Sequence, residues 1–248
     1  MKRVGLFSLL LFCLSVNVRS DEPATLSPYL TSVFDKGEKL TFTLSWLKVT
    51  GGSAEMTVTP VPESKQVRLQ SIAKSNAFFS KIYRVRDEIE SIVNRADLST
   101  VLFHKKLDER GKKKEDVTVI DEEKGMALRR GVETQVPKPI FDPLSTIYFL
   151  RTVDLSPGKV HTFNTLADGK LYAIEATVLQ RESVRTDAGT FETVLVEPKM
   201  RRGGIFRDEN TRLLIWYTDD ERRLPVRIRS TISAGTITAT LRAIATEP

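Results

Sequence analysis

His104 and His161 are the two histidines of the 248-residue chain. General-base, nucleophilic or metal chemistry would require each to stand near partners. Each is isolated in a run of alternating apolar and polar residues, and no HExxH, GxSxG, phosphate-loop or EF-hand pattern occurs. The acidic runs Asp87-Glu88, Asp121-Glu122-Glu123 and Asp219-Asp220-Glu221 could supply the paired carboxylates of a glycan hydrolase. The last two read as turns, where solvated acids serve local hydrogen bonding. Cys13 is the one cysteine and falls in a segment read below as removed, so no thiol, disulfide or thiolate metal chemistry is expected. These residues predict a protein that is not an enzyme and takes no metal or cofactor.

Two other groups carry more information. Lys105, Lys106, Lys112, Lys113 and Lys114 flank one expected hairpin, and Lys199, Arg201, Arg202 and Arg207 flank another around Gly203-Gly204. The second group is the candidate basic rim. Such cations serve solubility and blunt strand edges, and they also attract polyanions. The aromatic residues Phe42, Trp46, Tyr148, Phe149 and Trp216 are candidates for an apolar ligand cavity, with simple core filling as the alternative.

The elements that must position these groups follow from periodicity. Lys2 and Arg3 precede an uncharged stretch from Val4 to Val18, 15 residues long, short of the ~20 an α-helix needs to cross a bilayer. Residues 1–20 read as a signal peptide cut after Ser20, with Val18 and Ser20 as the small residues at the cleavage site. Later uncharged runs reach only 12 residues (23–34 and 230–241), so the mature chain is expected to have no transmembrane span. Loss of Lys2, Arg3 and Arg19 lowers the basic count from 38 to 35 against 32 acids, a net charge of +3. Export removes nucleic acid as a partner. With no mature cysteine and no Asn-x-Ser/Thr sequon, the expected compartment is a bacterial periplasm.

Residues 21–36, with Pro23 and Pro28, read as an extended leader, and 37–248 as a single β domain. Leu40, Phe42, Leu44 and Trp46 recur at every second position, and Gly51-Gly52 reads as the turn that follows. The alternation returns through Val67–Leu69, Tyr83–Val93, Val101–Leu107, Leu171–Leu179, Arg212–Thr218, Val226–Ile232 and Thr236–Ala243, bounded by turns such as Thr186-Asp187-Ala188-Gly189. The fold class is all-β: a large antiparallel curved sheet, a half-barrel or barrel-like meander, with one or two short helices packed in or against it. One helix is expected near 76–82. The second, near 142–153, has Asp142 as its cap and Pro143 at its first position. Its residues Leu144, Ile147, Tyr148, Phe149 and Leu150 are apolar nearly all round, so the helix must be buried, as a fixed plug or as a lid over a cavity.

Five motifs in order resemble a bacterial family catalogued as domain of unknown function 3108. They are Asp142-Pro143-Leu144-Ser145 with Tyr148-Phe149-Leu150-Arg151, then Ala188-Gly189-Thr190-Phe191, then Ile215-Trp216-Tyr217-Thr218-Asp219-Asp220, then Arg223-Leu224-Pro225-Val226-Arg227, then Gly235-Thr236-Ile237-Thr238. The resemblance implies an exported envelope β protein and transfers no catalytic residue. The motifs also have structural readings, with Gly189 permitting a hairpin turn and Arg151 suiting the negative pole of its helix. Three functions stay open at this point, the last being the glycan hydrolase on turn carboxylates named above. One is a non-enzymatic periplasmic protein that binds a lipid, an anionic glycolipid or a lipid-linked glycan in an apolar cavity. A second is an envelope structural or assembly factor that binds a protein partner through a strand edge.

Overall fold

Period-two alternation turns into strands almost everywhere it was read. The computed structural model describes residues 26–81, 83–200, 212–232 and 235–245. In chain order the elements are α1 (Pro28–Lys36), β1 (Glu38–Trp46), β2 (Val49–Pro60), β3 (Gln66–Ser75), α2 (Ala77–Ser80), β4 (Arg86–Asn94), β5 (Thr100–Glu109), β6 (Lys112–Asp121), β7 (Met126–Arg129), β8 (Val132–Gln135), α3 (Pro143–Phe149), β9 (Val160–Ala167), β10 (Lys170–Thr186), β11 (Gly189–Met200), β12 (Arg212–Thr218), β13 (Pro225–Ile232) and β14 (Gly235–Ala245). Among the described residues 14 strands form one antiparallel sheet. It consists of two meanders, β1–β8 and β9–β14, joined where β1 pairs with β14. The link between the meanders carries α3 into the concave face, as a helix apolar on most sides requires.

The ladder does not close: β8 and β9 end it. The two ends are stitched together by other means. The Ile140–Phe141 strap bonds β5 through Thr100 N to Ile140 O at 2.9 Å, and β9 through Phe141 N to Asn164 O at 3.0 Å and Leu166 N to Phe141 O at 2.7 Å. Beneath it Ile120, Ala127, Val136, Ile140 and Leu166 make a small apolar seam. Lys105 Nζ reaches Asp168 at 2.6 Å across the same seam. The strap thus occupies part of the free edge of β9, one of the ways proteins protect an exposed strand.

Three local expectations are corrected. The extended leader is helical over Pro28–Lys36: Ser27 caps it, Pro28 takes the first turn, and Leu30, Val33 and Phe34 bury one face at helical spacing. Gly51-Gly52 is not the turn but part of β2, because a Cβ on Gly52 would lie 2.1 Å from the Lys74 carbonyl oxygen on the neighbouring strand. The reversal instead uses Leu47 and Lys48. Finally, α3 ends at Phe149, not near 153, as Thr152 Oγ1 donates to the Phe149 carbonyl at 2.7 Å and Arg151 turns away.

Arg151 does follow the C-terminal end of α3, and it is wholly buried there, its guanidinium donating to both oxygens of the equally buried Glu38 at 2.6 and 3.0 Å. The guanidinium also donates to the Arg222 carbonyl at 3.0 Å and lies over the Tyr148 ring. At the other end of α3, the Asp142 carboxylate accepts from Leu144 N, Ser145 N and Thr100 Oγ1, while Ser145 Oγ accepts from Asp142 N. Burial pushes the Asp142 carboxyl up, opposed by the donors from Ser145 and Thr100. Tyr217 Oη donates to the Ile147 carbonyl at 2.9 Å. Both ends and the middle of α3 are therefore fastened to strands, the arrangement of a fixed plug.

Candidate functional site

Strand register shows which side chains share the concave face, and their burial changes steadily along it. On β1 the inward row is Leu40, Phe42, Leu44 and Trp46; the neighbouring β14 row is Leu241, Ala239 and Ile237, paired with Phe42, Leu44 and Trp46 in turn. At the α3 end Leu40, Phe42 and Leu241 are fully buried. One step along, Leu44 and Ala239 are half-buried. At the far end Trp46 and Ile237 are each 41% exposed. A similar change runs through β3 and β4, where Leu69 and Ser91 are buried while Ala73 and Ile89 are half-buried; on β2 the inward Val58, Met56 and Ala54 all stay buried. On the other meander, Ile174, Leu213 and Ile228 are also half-buried against the core. Among the described residues the curved sheet is thus a cup stopped by α3 and α1 at one end, its β1 and β14 faces carrying half-exposed apolar side chains toward the other. There the register on β4 and β5 brings Asp87 and Lys105 inward. Residues 201–211, between β11 and β12, lie outside the described residues.

The predicted aromatic residues fall into four environments. Phe42 and Tyr148, each 1% exposed, are core; a wall of a ligand-sized void would carry exposed surface, so these two pack and do not line one. Phe149 is half-buried, stacked on Phe141 at 4.3 Å and edge-on to Phe163 at 5.2 Å. Trp216 faces the opposite side of the sheet from its neighbour Tyr217, which reaches α3. Its ring is covered by Arg229 and Arg227, and its Nε1 donates to Glu182 at 2.5 Å. Trp46 alone of the five reaches the open end. The cup's own lining residues, Leu44, Ala239, Ile228, Ile174 and Leu213, were missed, because alternation reveals the face but not the depth.

Cations gather at the same open end. The hairpin of β5 and β6 brings Lys112, Lys113 and Lys114 there, exposed, and Lys48, Lys74 and Lys81 are exposed nearby. Lys199 is exposed as well but bonds Glu197 at 2.9 Å. The other rim candidates, Arg201, Arg202 and Arg207, lie outside the described residues, as does the predicted signal peptide.

The groups considered for catalysis are separated. His104 Nε2 lies 2.8 Å from the Glu115 carboxylate, and His161 Nε2 lies 2.6 Å from the Asp154 carbonyl. Among the described residues no three metal-ligating side chains converge. Asp121 is drawn below its ordinary range by Lys124. Asp220, though partly buried, is held low by Arg222 and Thr218. Asp219, Asp220 and Glu221 border an open polar cleft of about 190 Å³ together with Arg181, Arg223 and Asp154.

Comparison with known proteins agrees with the architecture. The chain matches the family described as Protein of unknown function (DUF3108) over residues 40–242. It belongs to that family. Among solved structures it is similar to a β-barrel-like protein of domain of unknown function DUF1849 from Brucella abortus, with a TM-score of 0.57 at 9% identity, covering 86% of this chain and 98% of that one. A DUF1089 family protein from Pseudomonas aeruginosa matches with a TM-score of 0.40 at 12% identity, covering 73% and 90% of the two chains. A protein provisionally described as a lipoprotein from Parabacteroides distasonis matches with a TM-score of 0.36 at 10% identity, covering 85% and 95%. The Brucella likeness shows the fold alone, and the other two add nothing to it. No curated protein matches. Among the described residues no helix is long and apolar enough to cross a membrane.

Proposed function

We infer that this is an exported, non-enzymatic protein of the bacterial envelope. Its open cup holds the acyl portion of a lipid or lipid-linked glycan, with the anionic headgroup toward the lysines at the mouth. One observation carries the reading: the inward faces of β1 and β14 pass from fully buried to 41% exposed while staying apolar. Apolar surface left half-exposed on a concave face is favourable to cover, at about 25 cal/mol per Å² removed from water. The N-terminal layout supports export, and the dispersed histidines and locally paired acids support a role without catalysis.

The strand-edge alternative has less behind it. β8 is four residues long, and the edge of β9 is partly taken by the strap, so little ladder is free to recruit a partner strand. Native mass spectrometry of the protein recovered from its own envelope should show an apolar adduct. Ala239→Trp, which places an indole in the open half of the cup, should abolish the adduct while leaving the protein folded. Repeated recovery of empty protein that also refuses a soluble short-chain phospholipid would remove the reading.

A further inference from the structure

The tip of the β1–β2 hairpin stands at the open end and is built in an unusual way. Leu47 and Lys48 form its two-residue turn with φ of 47° and 70°. Asn and Gly enter this left-handed region readily, whereas a bulky leucine does so at a cost. Leu47 is nevertheless 59% exposed there, beside exposed Val49. Next to it α2 presents Phe78, 65% exposed, packed edge-on to Phe79 at 5.9 Å; Phe79 meets Trp46 at 6.2 Å and covers Gly51. Asn76 fastens this helical turn to the hairpin, its backbone N–H donating to the Gly51 carbonyl at 2.8 Å and its side-chain amide to the Thr50 carbonyl at 3.0 Å. The exposed apolar groups therefore form one fixed patch. Around it Lys48, Lys74 and Lys81 are exposed, without carboxylate partners among the described residues.

We propose that this patch docks on an anionic lipid bilayer: Leu47, Val49, Phe78 and Trp46 enter the headgroup region, and Lys48, Lys74 and Lys81 meet phosphates. Apolar insertion and cationic attraction together are the two signals that hold a protein at a membrane surface. Protein interfaces favour aromatic residues but are depleted in lysine, and here a lysine stands between two apolar residues at the very tip. Backbone strain retained to display a leucine to water is explained when that leucine has a phase to enter. The proposal rests on the open end described above and not on what the cup holds.

The test is co-sedimentation of the exported protein, recovered after removal of residues 1–20, with phosphatidylcholine vesicles that contain or lack phosphatidylglycerol, with indole emission recorded in parallel. Trp216 is buried on the other face of the sheet, so a blue shift reports Trp46. Binding is expected only with phosphatidylglycerol, with a blue shift and with release by high salt. Leu47→Ser/Phe78→Ser should bind at least about tenfold more weakly while taking up a soluble short-chain phospholipid as the parent does. Lys48→Glu, at an exposed site, provides the same readout should the double variant fail to fold. The proposal is overturned by parent protein that ignores phosphatidylglycerol vesicles, by variants that bind them equally, or by a salt-resistant dimer that buries Trp46 without vesicles. A parent that binds vesicles but refuses the short-chain lipid counts against the cup's cargo alone.

Discussion

Arg151→Met should be among the most damaging single changes away from the mouth of the cup. The guanidinium makes two bonds to Glu38, at 2.6 and 3.0 Å, with both side chains wholly out of solvent. Burial pulls the Arg151 pKa down, and the Glu38 carboxylate more than restores it. Without the guanidinium, Glu38 keeps one neutral donor among its described contacts, the Tyr29 hydroxyl at 3.2 Å. A buried carboxylate stripped of its cation costs roughly 3–5 kcal/mol, equivalent in a domain of this size to a fall of roughly 6–20 °C in Tm. The double variant Glu38→Leu/Arg151→Met removes both charges and should recover most of that loss, because neither ion is left to desolvate. Urea unfolding followed by far-ultraviolet circular dichroism gives both values, provided the slope m is unchanged. A single variant that loses less than about 1 kcal/mol, the range of an exposed pair, would refute the reasoning. So would a double variant as unstable as the sum of its parts.

Phe149→Asp puts a carboxylate between Phe141 and Phe163 and should cost at least about 3 kcal/mol; a small loss in the same urea experiment would make α3 a detachable lid. Gly52→Ala should destabilise by about 1–3 kcal/mol, since its Cβ meets the Lys74 carbonyl and backbone must move; a neutral result would contradict the β2–β3 register. Alkaline stability follows from three tyrosines. Burial raises Tyr29, from 10.0 to about 12, and holds Tyr148 and Tyr217 higher still. The unfolded chain gives up these protons first, so the stabilisation is complete below pH 10 and is lost as pH rises through 12 and beyond. Tyrosinate absorbance and circular dichroism should therefore change together in that range; ionisation of all five tyrosines near pH 10 without unfolding would show that they are not buried.

The strands were legible because alternation is set by the pleat, and α3 because Asp142 and Pro143 mark its start. Other features were hidden for specific reasons. Glu38 and Arg151 are 113 residues apart, and no local pattern joins them. In Ile215-Trp216-Tyr217 every residue is apolar, so alternation gives no face, and Trp216 points away from the plug. Leu30, Val33 and Phe34 did carry a helical signal behind Ser27-Pro28, but the prolines drew the reading toward an extended chain. The depth of the cup could not be read at all. Leu40 and Trp46 share a face and a hydrophobic character, and only the position of α3 and α1 makes one core and the other rim.

The cup's one-sided opening can be measured on a single strand face. In a Cys13→Ser background, Leu241→Cys, Ala239→Cys and Ile237→Cys place a thiol at successive inward positions of β14, from the plugged end to the mouth. Their rates of reaction with a small water-soluble thiol reagent should rise in that order, with more than about tenfold between the first two, since Leu241 reacts only when the structure opens. Equal protection of all three positions, or fastest labelling at Leu241→Cys, would contradict an interior closed by α3 and open at the far end.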